Sequence, residues 1–342
     1  MTKLRNALIA SAVISTAMWT GAAFAESSSG SEGSGDSPRA LPGGAEISDR
    51  GAPVAPLKVE GGEISRDLEL DPKALEESYG TISRSRDGTE TRTPPTEKMR
   101  SIINGMMEQG GGTDRQVFGE DTRVQITDSS QYPFRTFGML QGESPKGGFG
   151  NCSATLIGPR TVLTAAHCLY DHESQGWLDN FVFAPGLLSM QNAPFGVYEY
   201  ETAYIFEGFL TNYEGFYGSV VPWDIGIVIL QQPVGEQVGW MAYGYDNNLS
   251  DFTANIIGYP GDKDPGTMWR ADCVVNSKNM ADQYFQYDCD TYPGSSGSSV
   301  YRYVKERDER IIYGVNVAES PTANTAVRIN PTYFEWLQGL VK

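Results

Sequence analysis

From Val117 onward, short apolar or alternating runs recur, each cut off by Gly, Pro, Asn or Asp. They include Val124–Thr127 (VQIT), Ser153–Gly158 (SATLIG), Thr161–Ala166 (TVLTAA), Ile225–Leu230 (IGIVIL), Thr253–Tyr259 (TANIIGY), Ile311–Val317 (IIYGVNV) and Ala326–Asn330 (AVRIN). Such runs are too short for amphipathic helices and rich in β-branched residues, so they predict strands. Their regular spacing predicts an all-β fold, a sandwich or a barrel. The end of the chain departs from this pattern. Asn330-Pro331 is a helix-start signal, and Tyr333, Phe334, Trp336, Leu337 and Leu340 follow at helical spacing. A core-packing helix is expected over 331–340. Residues 117–342 are long enough to bury a real core and are expected to form one domain.

The first third has a different texture. Residues 26–96 are rich in Ser, Gly, Pro, Glu and Asp, as in Gly30–Gly44 (GSEGSGDSPRALPGG). Such a stretch cannot bury enough surface to offset its chain entropy. Two short helical patches interrupt the acidic, polar background. One is Asp71–Tyr79, with Pro72 suited to a first helical turn; the other is Thr96–Gln109, stopped by Gly110-Gly111-Gly112. Residues 26–116 are therefore expected to be a largely disordered pro-segment. Upstream, Lys3 and Arg5 precede an apolar stretch from Ala7 to about Trp19, and Ala23-Phe24-Ala25 fits a cleavage site. Residues 1–25 are expected to be a secretory signal peptide, placing the protein outside the cytoplasm, in the periplasm or the medium. No later segment is apolar enough to span a bilayer, so no membrane anchor is expected.

Net charge and cysteine usage narrow the function classes. The formal charge of −17 on 342 residues argues against nucleic acid and against anionic lipid, both of which need basic patches. The four cysteines are Cys152, Cys168, Cys273 and Cys289. Export makes disulfides the default, and four Cys allow three pairings. Pairing sequence neighbours gives Cys152–Cys168 and Cys273–Cys289, each closure contributing about 3 kcal/mol. Metal-ligand spacing such as C-x-x-C is absent, and no required metal is expected. Asp246, Asp262 and Asp264 lie in segments too short to supply a calcium shell alone.

Two His occur, His167 and His172. His167 follows an apolar strand run and adjoins Cys168, so a disulfide there would pin the imidazole. His172 lies in a polar stretch, YDHES, expected to be a surface loop. Asp224 opens an apolar strand run, where an unpaired carboxylate is costly to bury. An imidazole Nδ1–H would satisfy it and fix the ring's tautomer. Ser296 sits between Gly-containing turns in Pro293–Val300 (PGSSGSSV). The flanking glycines allow close approach of the backbone to a carbonyl, and the N–H groups of Gly294 and Ser296 are candidates for an oxyanion hole. The order His, Asp, Ser differs from that of α/β-hydrolases and of subtilisins.

Thr164–Cys168 (TAAHC), Trp223–Leu230 (WDIGIVIL) and Gly294–Ser298 (GSSGS) resemble the three signature blocks of chymotrypsin-like serine peptidases. Ile256–Lys263 (IIGYPGDK), Cys289–Val300 (CDTYPGSSGSSV) and Gly119–Ile126 (GEDTRVQI) look like the bacterial glutamyl-endopeptidase branch. The resemblance covers roughly 117–342. It implies two six-stranded antiparallel β-barrels, about 117–235 and 236–330, with the cleft between them. It implies His167, Asp224 and Ser296 as base, orienting acid and nucleophile of a peptidase made as a zymogen. Protein or peptide substrates are the implied partners, and no cofactor is.

Some residues depart from the relatives' pattern. Ser295 precedes the nucleophile where trypsin-type zymogens carry an Asp, excluding their activation salt bridge. Asn316 stands where glutamyl endopeptidases carry a substrate-binding His, and it supplies no positive charge. Glu319 nearby would repel an acidic side chain. Asp290, six residues before Ser296, is in the register of trypsin's specificity acid, and Thr291 could offer a hydroxyl. Asp290, Thr291 and Asn316 are thus the expected pocket residues. A cut between Arg115 and Val117 is the expected activation site. A binding-only homologue or an esterase on the same fold is the alternative, and a monomer is expected.

Overall fold

The computed structural model describes residues 39–40, 45–48, 50–55, 57–58, 70–106, 121–320 and 323–342. The expected signal peptide and the expected cut near Arg115–Val117 lie outside these residues.

Six antiparallel strands follow one another in space as Asp179–Pro185, Phe137–Glu143, Phe149–Leu156, Thr161–Thr164, Gly226–Leu230 and Tyr198–Phe206. The last pairs back with the first through Val182↔Glu199 and Phe183↔Tyr198, closing a barrel. Thr161–Thr164 and Gly226–Leu230 are buried along their whole length. A strand covered on both faces favours a near-continuous apolar run, as in Ile227–Leu230; Thr164, at the end of the other strand, satisfies its buried hydroxyl by donating to Ser153 O at 3.0 Å. Asp179–Pro185 alternates instead, with Phe181 and Phe183 turned inward.

The second sheet runs Tyr284–Tyr287, Asn324–Arg328, Glu309–Glu319, Ser299–Val304, Phe252–Gly258 and Met268–Val275. Phe252, Ile256, Phe285, Val300 and Tyr313 belong to its core. The Cys273–Cys289 disulfide (S–S 2.02 Å) ties Met268–Val275 to the residues just after Tyr284–Tyr287, and no ladder among the described residues joins these two strands. Val124–Ile126 adds to this sheet, pairing Val124↔Arg270 and Ile126↔Met268. The first barrel, expected from about residue 117, begins later here, because Val124–Ile126 joins the second sheet before the chain builds the first. A run of three residues carries no information about which sheet edge will take it.

The terminal helix forms over Pro331–Leu340, and Asn330 Oδ1 accepts the N–H of Tyr333 at 3.0 Å as its N-cap. Tyr333, Trp336 and Leu337 are buried, and the Tyr333 hydroxyl donates to the carbonyl of Pro222.

Expected disorder does not hold for residues 70–106. Asp71 Oδ1 accepts from Lys73 N and Ala74 N, each at 3.0 Å, and caps the helix Pro72–Ser78. Thr81–Ser85 and Glu90–Thr93 form a hairpin, and its first strand pairs antiparallel with Tyr198–Phe206. A second helix spans Glu97–Met106. Tyr79, Ile82, Met99 and Ile103 are buried. The Tyr79 ring lies 5.6 Å from Phe206, 6.0 Å from Tyr333 and 6.3 Å from Trp223 between centroids. Its hydroxyl pKa is pushed up to about 12, chiefly by burial, so it stays neutral there. The physical reason for the difference is that a few well-spaced apolar residues suffice when a ready-made barrel supplies the opposite face. Average composition hides them.

Candidate active site

The Thr161–Thr164 strand ends in a short turn, Ala166–Cys168, that carries His167. Cys168 is bonded to Cys152 on the neighbouring strand (S–S 1.99 Å), holding this turn against the barrel. Asp224 closes the turn Val221–Trp223 just before the Gly226–Leu230 strand, and it is wholly buried. Its Oδ1 accepts the backbone N–H of His167 at 2.9 Å, and its Oδ2 lies 2.7 Å from His167 Nδ1. A carboxylate can only accept, so the proton sits on Nδ1 and Nε2 is left as the acceptor. Both oxygens of one acid therefore fix one histidine in position and in tautomer.

Ser296 lies in the loop before the Ser299–Val304 strand. Gly297 has φ +83°, and a Cβ there would meet Ser153 O and Thr164 Oγ1 at 2.2 Å. That close approach, open only to glycine, seats the loop on the residues leading into His167. Ser153 reinforces it: its N–H donates to Ser296 O and its hydroxyl to Gly294 O, each at 2.8 Å. Ser296 Oγ and His167 Nε2 are both buried, and neither has a hydrogen-bond partner among the described residues. The bond between them that proton transfer needs is not made in this state, but among the described residues no competing bond holds either atom. Ser295 is buried and uncharged.

The expected pocket residues are placed unevenly. Asp290 Oδ2 accepts both the N–H (2.7 Å) and the hydroxyl (2.8 Å) of Thr122, so this carboxylate faces the Thr122 segment. Its assignment to a pocket floor is corrected. Asn316 is fully buried behind the Ser296 loop: Oδ1 accepts from the Tyr287 hydroxyl, and Nδ2 donates to Ser295 O at 3.1 Å. Each end of this amide is engaged by the protein, so Asn316 braces the loop. Thr291 donates to Glu319 Oε1 at 3.2 Å. Burial, with the Glu319 charge adding, holds the Tyr287 hydroxyl well above its usual pKa.

A trypsin-like peptidase domain model matches residues 152–306. A glutamyl endopeptidase of Bacillus licheniformis is 29% identical over 239 residues, covering 69% of this chain and 70% of the relative. The chain is a serine endopeptidase. Its fold matches a solved Glu endopeptidase in complex with MPD at TM-score 0.57 and 23% identity, covering 65% of this chain and 98% of that one. A Bacillus subtilis protein named extracellular metalloprotease is 26% identical over 288 residues, covering 78% of this chain and 88% of that one. In the peptidase described here, the residues among those described that come together as a metal ligand set are Cys152, His167 and Cys168. Both sulfurs are in the disulfide, so no thiolate is available and the set does not fit a metal.

His172 of the peptidase is not a surface-loop residue. It is half-buried and stacks on Tyr213 (centroids 4.1 Å apart, planes at 12°) beside Phe209. Burial pushes its pKa down.

A segment upstream of the helical region runs through the cleft of the peptidase, which nothing in its sequence signalled. Ala52 and Pro53 pair parallel with Gly150 and Asn151, and Val54 N donates to Asn151 O at 2.8 Å. Gly294 N then donates to Val54 O at 3.1 Å. Leu57 and Lys58 continue parallel to Ala318 and Glu319. Pro53, Val54, His167, Tyr170 and Tyr217 are among the residues lining a cleft of about 650 Å³.

Proposed function

We propose that this serine endopeptidase is secreted, is made as a zymogen, and uses Ser296, His167 and Asp224 as its catalytic residues. The observation that carries this is the double engagement of His167 by Asp224, which leaves Nε2 free to accept a proton. Ser296 Oγ attacks the substrate carbonyl carbon and its proton passes to His167 Nε2. The N–H groups of Gly294 and Ser296 receive the oxyanion. His167 then gives the proton to the departing amine, and water repeats the sequence to free the acyl group. The signal-like residues 1–25 support export, and the Val54 carbonyl on Gly294 N–H supports a latent form.

The test is reaction of the matured protein with a fluorophosphonate. The expected result is one adduct, mapped by peptide mass to Ser296, with matching loss of casein hydrolysis. Adduct at Ser295 or Ser298, or none, would overturn the nucleophile assignment.

Side-chain preference follows from charge. Glu319 and Thr291 face one another on two segments that lead away from Ser296, while Asn316 brings no cation. A carboxylate there disfavours an acidic substrate residue and favours one that donates or is positively charged. In a mixed peptide library, Lys or Arg is expected to exceed Glu before the cut bond by at least about tenfold. Glu319→Gln is expected to shrink that ratio by about tenfold while fluorophosphonate labelling is unchanged. A preference for Glu in the parent protein would reverse the assignment.

A further inference from the structure

We propose that residues 52–55 and 57–58 are a ligand of the catalytic cleft bound in the direction opposite to a substrate, and therefore an inhibitor that is not cut. The proposal rests on the zymogen function above and adds how latency is achieved.

A productive chain has a fixed polarity here. Its reacting carbonyl must sit at Gly294 N–H, and its leaving amine must face His167, which supplies the proton. The Gly150–Asn151 edge lies on the His167 side, because Cys152 next to it is bonded to Cys168. The Ala318–Glu319 edge lies on the Thr291 side. A substrate therefore lays its acyl part along Ala318–Glu319 and its amine part along Gly150–Asn151. Residues 52–55 and 57–58 do the reverse. Their N-terminal part pairs with Gly150–Asn151 and their C-terminal part with Ala318–Glu319, and both ladders are parallel.

The consequence is chemical. The Val54 carbonyl occupies the donor that an oxyanion would use. Its leaving group would be the Ala55 nitrogen, and from there the chain leads toward Ala318–Glu319, away from His167. No positioned acid protonates that nitrogen, so an adduct at Val54 could only return its proton and collapse back. The backbone bonds on both edges supply affinity in the manner of added strands, and the tether to the domain raises the local concentration.

The experiment adds a synthetic peptide of residues 45–58 to matured protein. Competitive inhibition of casein hydrolysis is expected, with the peptide intact by mass spectrometry after many turnovers of substrate. N-methylation at Val54, which removes the donor to Asn151, is expected to weaken inhibition about tenfold. Peptides with Arg, Glu or Phe at position 54 are expected to remain uncut, whatever side chain the enzyme prefers. In the full chain, Val54→Pro is expected to raise activity before maturation at least tenfold. Cleavage between residues 54 and 55 would overturn the reversed direction. So would failure of both the peptide to inhibit and Val54→Pro to activate. If the unprocessed chain is fully active, it is the zymogen reading that fails; if that chain is latent and the peptide is cut, only the direction fails.

Discussion

Asp224→Asn is expected to lower kcat/KM by about four orders of magnitude, with an unfolding temperature within a few degrees of the parent. The reason is a conflict that an amide cannot resolve. Position 224 must accept the N–H of His167 at 2.9 Å and face Nδ1 at 2.7 Å. If the Asn oxygen faces the backbone N–H, its NH2 faces Nδ1. The ring must then accept there and carry its proton on Nε2, which can no longer take one from Ser296. If the amide flips, an NH2 meets a backbone N–H inside a buried site, a clash of donors. Asp224→Ala is expected to be as inactive and also less stable, because it strands both groups and opens a void. Steady-state kinetics and thermal unfolding check this. Activity within tenfold of the parent would mean that Asp224 does not orient the base.

The second large effect is on stability. Tyr79→Ala is expected to cost about 3–5 kcal/mol, since it empties a buried aromatic position touching Phe206, Trp223 and Tyr333. For a domain of this size that corresponds to roughly 10 °C in Tm. Loss of activity should accompany it, because Trp223 immediately precedes Asp224. The same packing makes a statement about maturation. A cut downstream of Met106 should leave residues 70–106 bound with the cleft segment still tethered to them, so that cut alone should give a species that stays latent and runs as two chains on a denaturing gel and as one in size exclusion. A Tm within about 2 °C of the parent would show that the segment merely rests on the barrel.

Much of this was legible before the structure. The three blocks holding His167, Asp224 and Ser296 stand out by residue type and order, and the structure brings His167 against Asp224. The Gly226–Leu230 strand stands out because burial along its whole length goes with an unbroken apolar run, Ile227–Leu230. The terminal helix had a capping signal at Asn330. Other features had no side-chain signature. The pairings of Ala52–Pro53 and Leu57–Lys58 use backbone N–H and C=O groups that every sequence possesses. The hairpin strand Thr81–Ser85 contributes one fully buried apolar residue, Ile82, and otherwise joins a ladder. Asp290 was misjudged because register gives a residue's place along a loop and not the way its side chain turns.

The helix that follows the second barrel does not belong to that barrel in a functional sense. Tyr333 reaches the carbonyl of Pro222, two residues before Asp224, and Trp336 donates to Thr81 at 2.9 Å. Anyone recombining halves of related peptidases should therefore treat residues 331–340 as a detached part of the first half. A hybrid that joins this chain's first barrel to a foreign second barrel needs this chain's own tail. Without it, the turn presenting Asp224 would be held by a stranger's packing.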